Sequence, residues 1–297
     1  MPQNKLDELD QLTELGQLDQ LDRFQTAGGL QLHYLDFGGQ GKPPLVCVHG
    51  LTGNAHNFEA LVPHLKARYH VLALDVRGRG DSQWGPAADY NPQVYVSDLK
   101  EFLDALGIKR VSLIGTSMGG IISMMFAGGY PESVERLVLN DIGPDIDPAG
   151  LMRILAYVVD APDHFADMAE VLAYYRTTYP PAANLSDAAL TEWVRWSVKP
   201  AEGSGLTWKM DPAIRQPPRG GSAARPIDLW LHYNRVMAPI LVVRGAESDI
   251  LSRETAARML MVQRGVRLVE VPGVGHAPSL VEPAALEALT DFLAAKA

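Results

Sequence analysis

The chain has 297 residues, of which 47 % are apolar and 21 % charged, proportions that are ordinary for a globular protein. Its net charge of −9 argues against non-specific attraction to nucleic acid or to an anionic membrane surface. The single cysteine, Cys47, excludes an intrachain disulfide. No apolar run is long enough to predict a membrane span. The N-terminus lacks the basic start and apolar core of a signal peptide, so we expect a cytoplasmic location.

Residues 1–22 differ in composition from the rest of the chain. Their leucines recur at every third position, between acidic and amide side chains. This spacing does not hold one face of a helix, because each step drifts by roughly 60° around the axis. No heptad stripe is present. We interpret residues 1–22 as an acidic extension, with a docking or oligomerisation segment as the alternative.

Beyond residue 22, predicted strands alternate with predicted helices. The predicted strands are residues 30–37, 45–48, 71–75, 111–114, 136–140, 239–245 and 266–271, and the predicted helices include 57–67, 92–106 and 121–127. Such alternation predicts an α/β fold with a mostly parallel central sheet and helices on both faces.

The alternation is interrupted over residues 143–230, which are rich in Pro, Met, Tyr and Trp and contain helical patches. We expect a mainly helical cap here, inserted into a core formed by residues 23–142 and 231–297. Residues 217–222 are predicted to be a flexible stretch within this cap or at its return to the core.

The pentapeptide Gly115-Thr116-Ser117-Met118-Gly119 is the most informative motif in the chain. A strand precedes it and a helix follows it, which is the context of a nucleophile elbow. The tight turn strains the serine backbone and presents its hydroxyl above the sheet. The motif therefore predicts that Ser117 is a nucleophile.

A serine hydroxyl needs a base and an orienting acid, and in this arrangement they follow the serine in the order acid, then histidine. Asp249 lies just after the strand at 239–245, and His276 follows the last strand. Both are expected at the sheet edge that carries Ser117. Glu247 and Asp141, which ends the strand at 136–140, compete with Asp249 for the acid position.

An acyl-transfer site also needs donors for the oxyanion. The strand at 45–48 runs into His49-Gly50-Leu51. We assign the oxyanion hole to the backbone N–H groups of Leu51 and of Met118, the residue after the nucleophile.

These motifs, together with Asp75-Val76-Arg77-Gly78-Arg79-Gly80-Asp81-Ser82, resemble the α/β-hydrolase superfamily, and the resemblance spans nearly the whole chain. It favours Asp249 as the acid and implies an esterase-like or lipase-like serine hydrolase with a helical cap. Serine at position 117 disfavours the dehalogenase and epoxide-hydrolase branches, which carry aspartate there. The resemblance gives His49 a structural role, and we expect Arg77, Arg79 and Asp81 to tie down a loop.

Further residues are candidates for contact with substrate, although each has a structural alternative. They are His49 and Gly50 in the oxyanion loop, His56 at the start of the next helix, and Trp193 and Trp196 in the cap. No group of residues has metal-ligand spacing, and no dinucleotide fingerprint is present, so neither a metal nor a cofactor is expected.

The sequence therefore predicts a hydrolase of small to medium hydrophobic carboxylic esters that acts through Ser117, His276 and Asp249. A lactonase, a C–C bond hydrolase of ring-cleavage products and a ligand sensor without turnover are the alternatives. The oligomeric state stays open, with a homodimer among the possibilities.

Overall fold

The computed structural model describes residues 21–179, 185–216 and 227–295. The acidic extension lies outside them except for its last two residues, and the flexible stretch predicted at 217–222 lies outside them entirely.

The described residues alternate strands and helices along the core. The strands are β1 (Asp22–Ala27), β2 (Leu30–Asp36), β3 (Pro44–Val48), β4 (His70–Leu74), β5 (Val111–Thr116), β6 (Val134–Asn140), β7 (His164–Phe165), β8 (Val198–Pro200), β9 (Leu206–Trp208), β10 (Ile240–Gly245) and β11 (Val266–Val271). The helices are α1 (Val62–Leu65), α2 (Pro92–Ala105), α3 (Met118–Gly129), α4 (Pro148–Val159), α5 (Met168–Thr178), α6 (Asp187–Val194), α7 (Leu229–Tyr233), α8 (Arg253–Val262) and α9 (Pro283–Ala294).

Eight strands form one sheet in the order β1-β2-β4-β3-β5-β6-β10-β11. The pairs β1–β2 and β2–β4 are antiparallel, and the remaining pairs are parallel. The predicted fold class is confirmed. Strand β1 is not predicted from the sequence, because Arg23, Phe24 and Thr26 are exposed and only Ala27 is buried, which leaves no apolar–polar alternation.

Helices cover both faces of this sheet, and each face has its own apolar core. Helices α2, α3, α7 and α8 pack on one face, where Phe102 and Phe126 are fully buried. Helices α1 and α9 pack on the other face, with Phe292 at its centre. The predicted helix at 57–67 is a 3-10 helix (Ala55–Leu61) followed by the short α1.

Between β6 and β10 the chain leaves the sheet and forms a third apolar cluster, which includes Phe165, Tyr175, Leu190 and Trp208. We refer to residues 143–230 as the cap segment. Besides α4, α5 and α6 it contains an antiparallel sheet, β7-β9-β8, that the sequence does not predict. These strands have only two or three residues each, too few to show an alternating pattern.

Candidate active site

Ser117 joins β5 to α3 in a strained backbone conformation, with φ of 52° and ψ of −116°. Its N–H donates to the carbonyl oxygen of Asn140 on the neighbouring strand (3.0 Å). A Cβ atom added at Gly119 would lie 2.0 Å from the carbonyl oxygen of Val48, and one added at Gly115 would lie 2.4 Å from the carbonyl oxygen of Gly119. The two glycines therefore allow α3 to begin directly against the sheet.

His276 connects Ser117 to a carboxylate. Its Nε2 lies 2.8 Å from the Ser117 Oγ, and its Nδ1 lies 2.8 Å from the Asp141 Oδ2. A carboxylate only accepts hydrogen bonds, so the imidazole proton resides on Nδ1. Nε2 is then the acceptor for the Ser117 hydroxyl, which is the arrangement that general-base activation requires.

Asp141 is fully buried directly after β6, with φ of 55°. The N–H of Gly245 donates to its Oδ1 (2.8 Å), and the hydroxyl of Ser248 donates to its Oδ2 (2.6 Å). Together with His276, these donors supply both carboxylate oxygens with partners. A buried carboxylate needs such partners to stay charged.

Asp249 does not contact His276, so the prediction that it orients the histidine is wrong. The guanidinium of Arg153 binds both its oxygens, with Nε 2.5 Å from Oδ2 and Nη2 2.8 Å from Oδ1. The hydrogen bond from Arg153 lowers the pKa of Asp249, against a smaller opposing effect of burial. Asp249 follows β10 by four residues and reaches outward to α4, whereas Asp141 directly follows β6 beneath His276.

The loop that carries Asp249 anchors the first cap helix. A Cβ atom added at Gly150 of α4 would lie 1.9 Å from the carbonyl oxygen of Asp249. The N–H of Asp147 donates to the carbonyl oxygen of Ile250 (3.0 Å). With the Arg153 ion pair, these contacts fix α4 to the core beside the candidate site.

The backbone N–H groups of Leu51 and Met118 have no acceptor among the described residues. Met118 is the first residue of α3, where helical N–H groups have no intrahelical partner. Gly50 brings the other loop close, since a Cβ atom added there would lie 3.6 Å from the Ser117 Cβ. Both N–H groups are thus available beside the serine.

Arg79 supports both sides of this candidate oxyanion hole. It is 1 % exposed, and its Nε donates to the carbonyl oxygen of Leu51 (3.2 Å). Its Nη2 lies 3.5 Å from the Met118 Sδ, and its Nη1 donates to the Tyr95 hydroxyl (2.9 Å). The sequence predicts that Arg79 ties down a loop, but not that it contacts both of these residues.

His49 shapes the oxyanion loop and is enclosed by protein. Its Nδ1 lies 2.7 Å from the carbonyl oxygen of Gly50, and its Nε2 accepts the N–H of Val76 (3.0 Å). Burial lowers its pKa to about 4, although the charge of Asp75 opposes the shift, so His49 is neutral at physiological pH. Both ring nitrogens are occupied by backbone groups and the residue is 1 % exposed. The structure therefore does not place His49 where it could contact substrate.

The other predicted contact residues lie at or within the cap segment. His56 stacks on Trp196, with ring centroids 3.7 Å apart, and its Nδ1 lies 2.7 Å from the Glu59 Oε1. His56 Nε2 and Trp196 Nε1 are both buried without a partner. Trp193 packs against the rings of Tyr175 and Tyr179 and belongs to the cap's own apolar cluster.

A cavity of about 20 Å³ lies between the cap segment and the core, enough space for about one water molecule. Thr52, which follows Leu51 of the oxyanion loop, is the lining residue that belongs to the core. The cap supplies the remaining lining, mostly aromatic: Tyr157, Val158, Ala161, Tyr174, Tyr175, Thr178, Tyr179, Trp208 and Met210.

One group of side chains outside this site has the composition of a metal site. His33, Asp75 and Asp81 offer ligand atoms within 4.8 Å of one another. Both nitrogens of His33 are already engaged, by Asp75 at 2.7 Å and by Asp22 at 2.8 Å. These contacts make His33 the centre of a hydrogen-bonded network of carboxylates that runs from buried Asp75 to the more exposed Asp22.

The chain belongs to the alpha/beta hydrolase fold family, whose sequence profile matches residues 43–283. It is 38 % identical over 277 residues to a 3-hydroxybutyrate-oligomer hydrolase of Cupriavidus necator, covering 90 % of this chain and 94 % of that protein. It is 30 % identical over 252 residues to a 2-(acetamidomethylene)succinate hydrolase of Mesorhizobium japonicum, covering 84 % of this chain and 88 % of that one.

A solved structure has the same fold over nearly the full length. The crystal structure of an alpha/beta hydrolase from Novosphingobium aromaticivorans superposes with a TM-score of 0.82 at 34 % identity. The match covers 92 % of this chain and 97 % of that one. Among the described residues, no helix combines the length and apolarity needed to cross a membrane.

Proposed function

We propose that this protein is a serine hydrolase that cleaves carboxylic esters through an acyl-enzyme. The observation that carries the proposal is the continuous hydrogen-bonded series Ser117–His276–Asp141, with the free N–H groups of Leu51 and Met118 beside the serine. Nucleophile, base, orienting acid and oxyanion donors are the four components that acyl transfer requires.

In the first half-reaction, His276 Nε2 takes the hydroxyl proton of Ser117 while Oγ attacks the acyl carbon. The carbonyl oxygen becomes an oxyanion and receives hydrogen bonds from the N–H groups of Leu51 and Met118, each worth about 3–4 kcal/mol in comparable sites. Asp141 stabilises the imidazolium that forms. The C–O bond to the alcohol then breaks, and the proton on Nε2 goes to the leaving oxygen.

The second half-reaction repeats these steps with water. His276 deprotonates the water, which attacks the acyl carbon of the ester formed with Ser117. The tetrahedral intermediate collapses, Ser117 regains its proton from His276, and the carboxylic acid leaves. The reaction consumes one water for each ester bond.

For the substrate, we propose short linear oligoesters of hydroxy acids. The relative with 38 % identity along almost its full length is named for hydrolysis of 3-hydroxybutyrate oligomers, which contain carboxylic ester bonds. The apolar and aromatic lining of the cavity suits the aliphatic part of such a chain.

A second candidate reaction is the one named for the relative with 30 % identity, hydrolysis of 2-(acetamidomethylene)succinate. The same serine, histidine and oxyanion donors would serve it. We favour the oligoester because the relative named for it is more similar over a longer part of both chains.

The test is hydrolysis of 3-hydroxybutyrate dimer and trimer, p-nitrophenyl esters from acetate to laurate, an acyl-homoserine lactone, and 2-(acetamidomethylene)succinate. Wild-type enzyme and Ser117→Ala are compared on each. Release of 3-hydroxybutyrate that disappears in the variant supports the proposal. Turnover retained by Ser117→Ala contradicts the role of the serine, and turnover of the succinate or the lactone alone contradicts the proposed substrate.

A further inference from the structure

Arg153 lies on the side of α4 that faces the cavity. Gly150, Ile154 and Val158 on this helix are buried, whereas Leu151, Met152, Leu155 and Val159 are exposed. Tyr157, one helical turn after Arg153, lines the cavity. Residues four apart project from the same face of a helix. Arg153 therefore emerges beside the cavity, not on the outer surface of the cap.

The ion pair with Asp249 orients the Arg153 guanidinium and leaves one of its edges free. Asp249 occupies Nε and Nη2, and Nη1 has no acceptor among the described residues. A guanidinium carries five N–H donors, of which Asp249 takes two. The edge formed by Nη1 and Nη2 can still receive a second carboxylate in bidentate geometry.

This free edge is in the neighbourhood of the candidate catalytic histidine. Asp249, which holds the guanidinium, directly follows Ser248, whose hydroxyl donates to the Asp141 Oδ2 (2.6 Å) that faces His276 Nδ1. Tyr157 and Tyr179 line the cavity together with Thr52, the residue after Leu51. Arg153 is thus next to the cavity lining through Tyr157, and next to the candidate triad through Asp249 and Ser248.

We propose that Arg153 determines specificity by binding a free carboxylate on the alcohol side of the scissile ester, so that the preferred substrates are oligoesters ending in a carboxylate. Asp249 is the positioning residue that holds the guanidinium in place. This inference rests on the proposed function and adds to it which end of the substrate is recognised.

The chemistry of a linear hydroxy-acid oligomer fits this geometry. In a dimer the single ester bond joins one acyl group to the hydroxyl of a second unit, and the carboxylate of that second unit is free. When Ser117 attacks the ester carbon, the carboxylate travels with the leaving alcohol. A fixed cation on that side orients the substrate before the attack.

The test compares two matched substrates, the dimer of 3-hydroxybutyrate and the methyl ester of the same dimer at its carboxyl end. The two differ only in the charged group that Arg153 is proposed to bind. Wild-type enzyme is expected to prefer the free acid. Arg153→Met should lower kcat/KM for the free acid by about 10- to 100-fold, mainly through KM, because a charge-assisted hydrogen bond is lost. The same variant should leave the value for the methyl ester within about threefold.

Two control variants separate substrate binding from anchoring of the cap. Asp249→Asn leaves the cation without its positioning partner, so the preference for the free acid should weaken but stay larger than in Arg153→Met. Arg110→Met removes an arginine whose partner is the surface residue Glu135, remote from the cap, and should change neither substrate. Thermal unfolding of each variant shows that it is folded.

Each outcome decides between the proposals. Equal losses on both substrates in Arg153→Met would mean that the ion pair only anchors the cap, and a free-acid preference that survives in Arg153→Met would mean that another group binds the carboxylate; either result would overturn the inference. Equal wild-type rates on acid and methyl ester would also overturn it while leaving the proposed function intact. Hydrolysis of neither substrate by wild type would overturn the proposed function itself.

Discussion

The carboxylate of Asp141 lies directly beneath the imidazole of His276, with Oδ2 2.8 Å from Nδ1. This carboxylate is fully buried and is also held by the N–H of Gly245 and the hydroxyl of Ser248. The more exposed Asp249 is held by Arg153 instead. Two acidic residues at the same edge of the sheet therefore have different partners: Asp141 binds His276 of the candidate site, and Asp249 binds Arg153 of the cap segment.

Replacement of each acid should show this difference in kinetics. Asp141→Asn keeps the shape of the side chain but no longer favours the proton on His276 Nδ1, and kcat on an ester should fall by about 10³- to 10⁴-fold. Asp249→Asn should keep kcat on the methyl-capped dimer within about tenfold. Steady-state kinetics of both variants is the measurement, and a larger loss in Asp249→Asn than in Asp141→Asn would contradict the assignment.

The sequence predicts the fold and most of the candidate site because these depend on local patterns. Ser117 follows from its glycines and flanking elements, and His276 follows from its position after the last strand. The identity of the acid that orients His276 cannot be predicted in this way, because Asp141 and Asp249 both come after parallel strands at the same edge of the sheet. The choice depends on Arg153, which is 96 residues from Asp249 in the chain and reaches it only once α4 is docked.

Arg79 should affect the reaction without contacting substrate. It joins the carbonyl oxygen of Leu51 to the sulfur of Met118, so its loss should let the two proposed oxyanion donors drift apart. A misplacement of about 1 Å can cost about 10²-fold in rate. We expect Arg79→Met to lower kcat by about 10- to 100-fold with little change in KM.

The control for Arg79 is Arg258→Met, which removes an arginine that pairs with Asp145 at the surface. It should keep kcat at the wild-type value. Thermal unfolding separates a positioning effect from a loss of structure. If KM rises in Arg79→Met while kcat is unchanged, Arg79 acts on substrate binding and the positioning role is wrong.

Gly119 should be required for stability as well as for the turn. A side chain there would meet the carbonyl oxygen of Val48 at 2.0 Å, and backbone cannot yield as a flexible side chain does. Gly119→Ala should therefore lower the free energy of unfolding by about 2–4 kcal/mol, measured with urea. Gly129→Ala, at the end of the same helix with open space around it, should be neutral or slightly stabilising. Equal changes in the free energy of unfolding for the two variants would contradict the close-packing explanation for Gly119.

His33 should make the stability of the sheet edge depend on pH. Its imidazole lies between Asp75 and Asp22, with the charge of Asp81 nearby, and its backbone N–H donates to the Ser82 hydroxyl. Burial alone would lower the pKa of His33, but the hydrogen bonds and charges of the carboxylates outweigh it and raise the pKa above 6.5. The protonated form can donate to Asp75 and Asp22 together, whereas the neutral form can donate to only one.

A histidine whose pKa is raised on folding stabilises the protein fully below its unfolded pKa, and this stabilisation is lost as the pH rises through the folded value. We therefore expect His33→Gln to be less stable than wild type by about 1–3 kcal/mol at pH 6. The gap should narrow as the pH rises to 9. Urea unfolding of both proteins at pH 6, 7, 8 and 9 measures it. Burial raises the pKa of Asp75, but its hydrogen bond with His33 contributes to a net lowering. The raised pKa of His33 and the lowered pKa of Asp75 therefore reflect the same interaction, whose stabilising effect is counted once. A gap that stays constant from pH 6 to 9 would mean that His33 does not carry the charge in the folded protein.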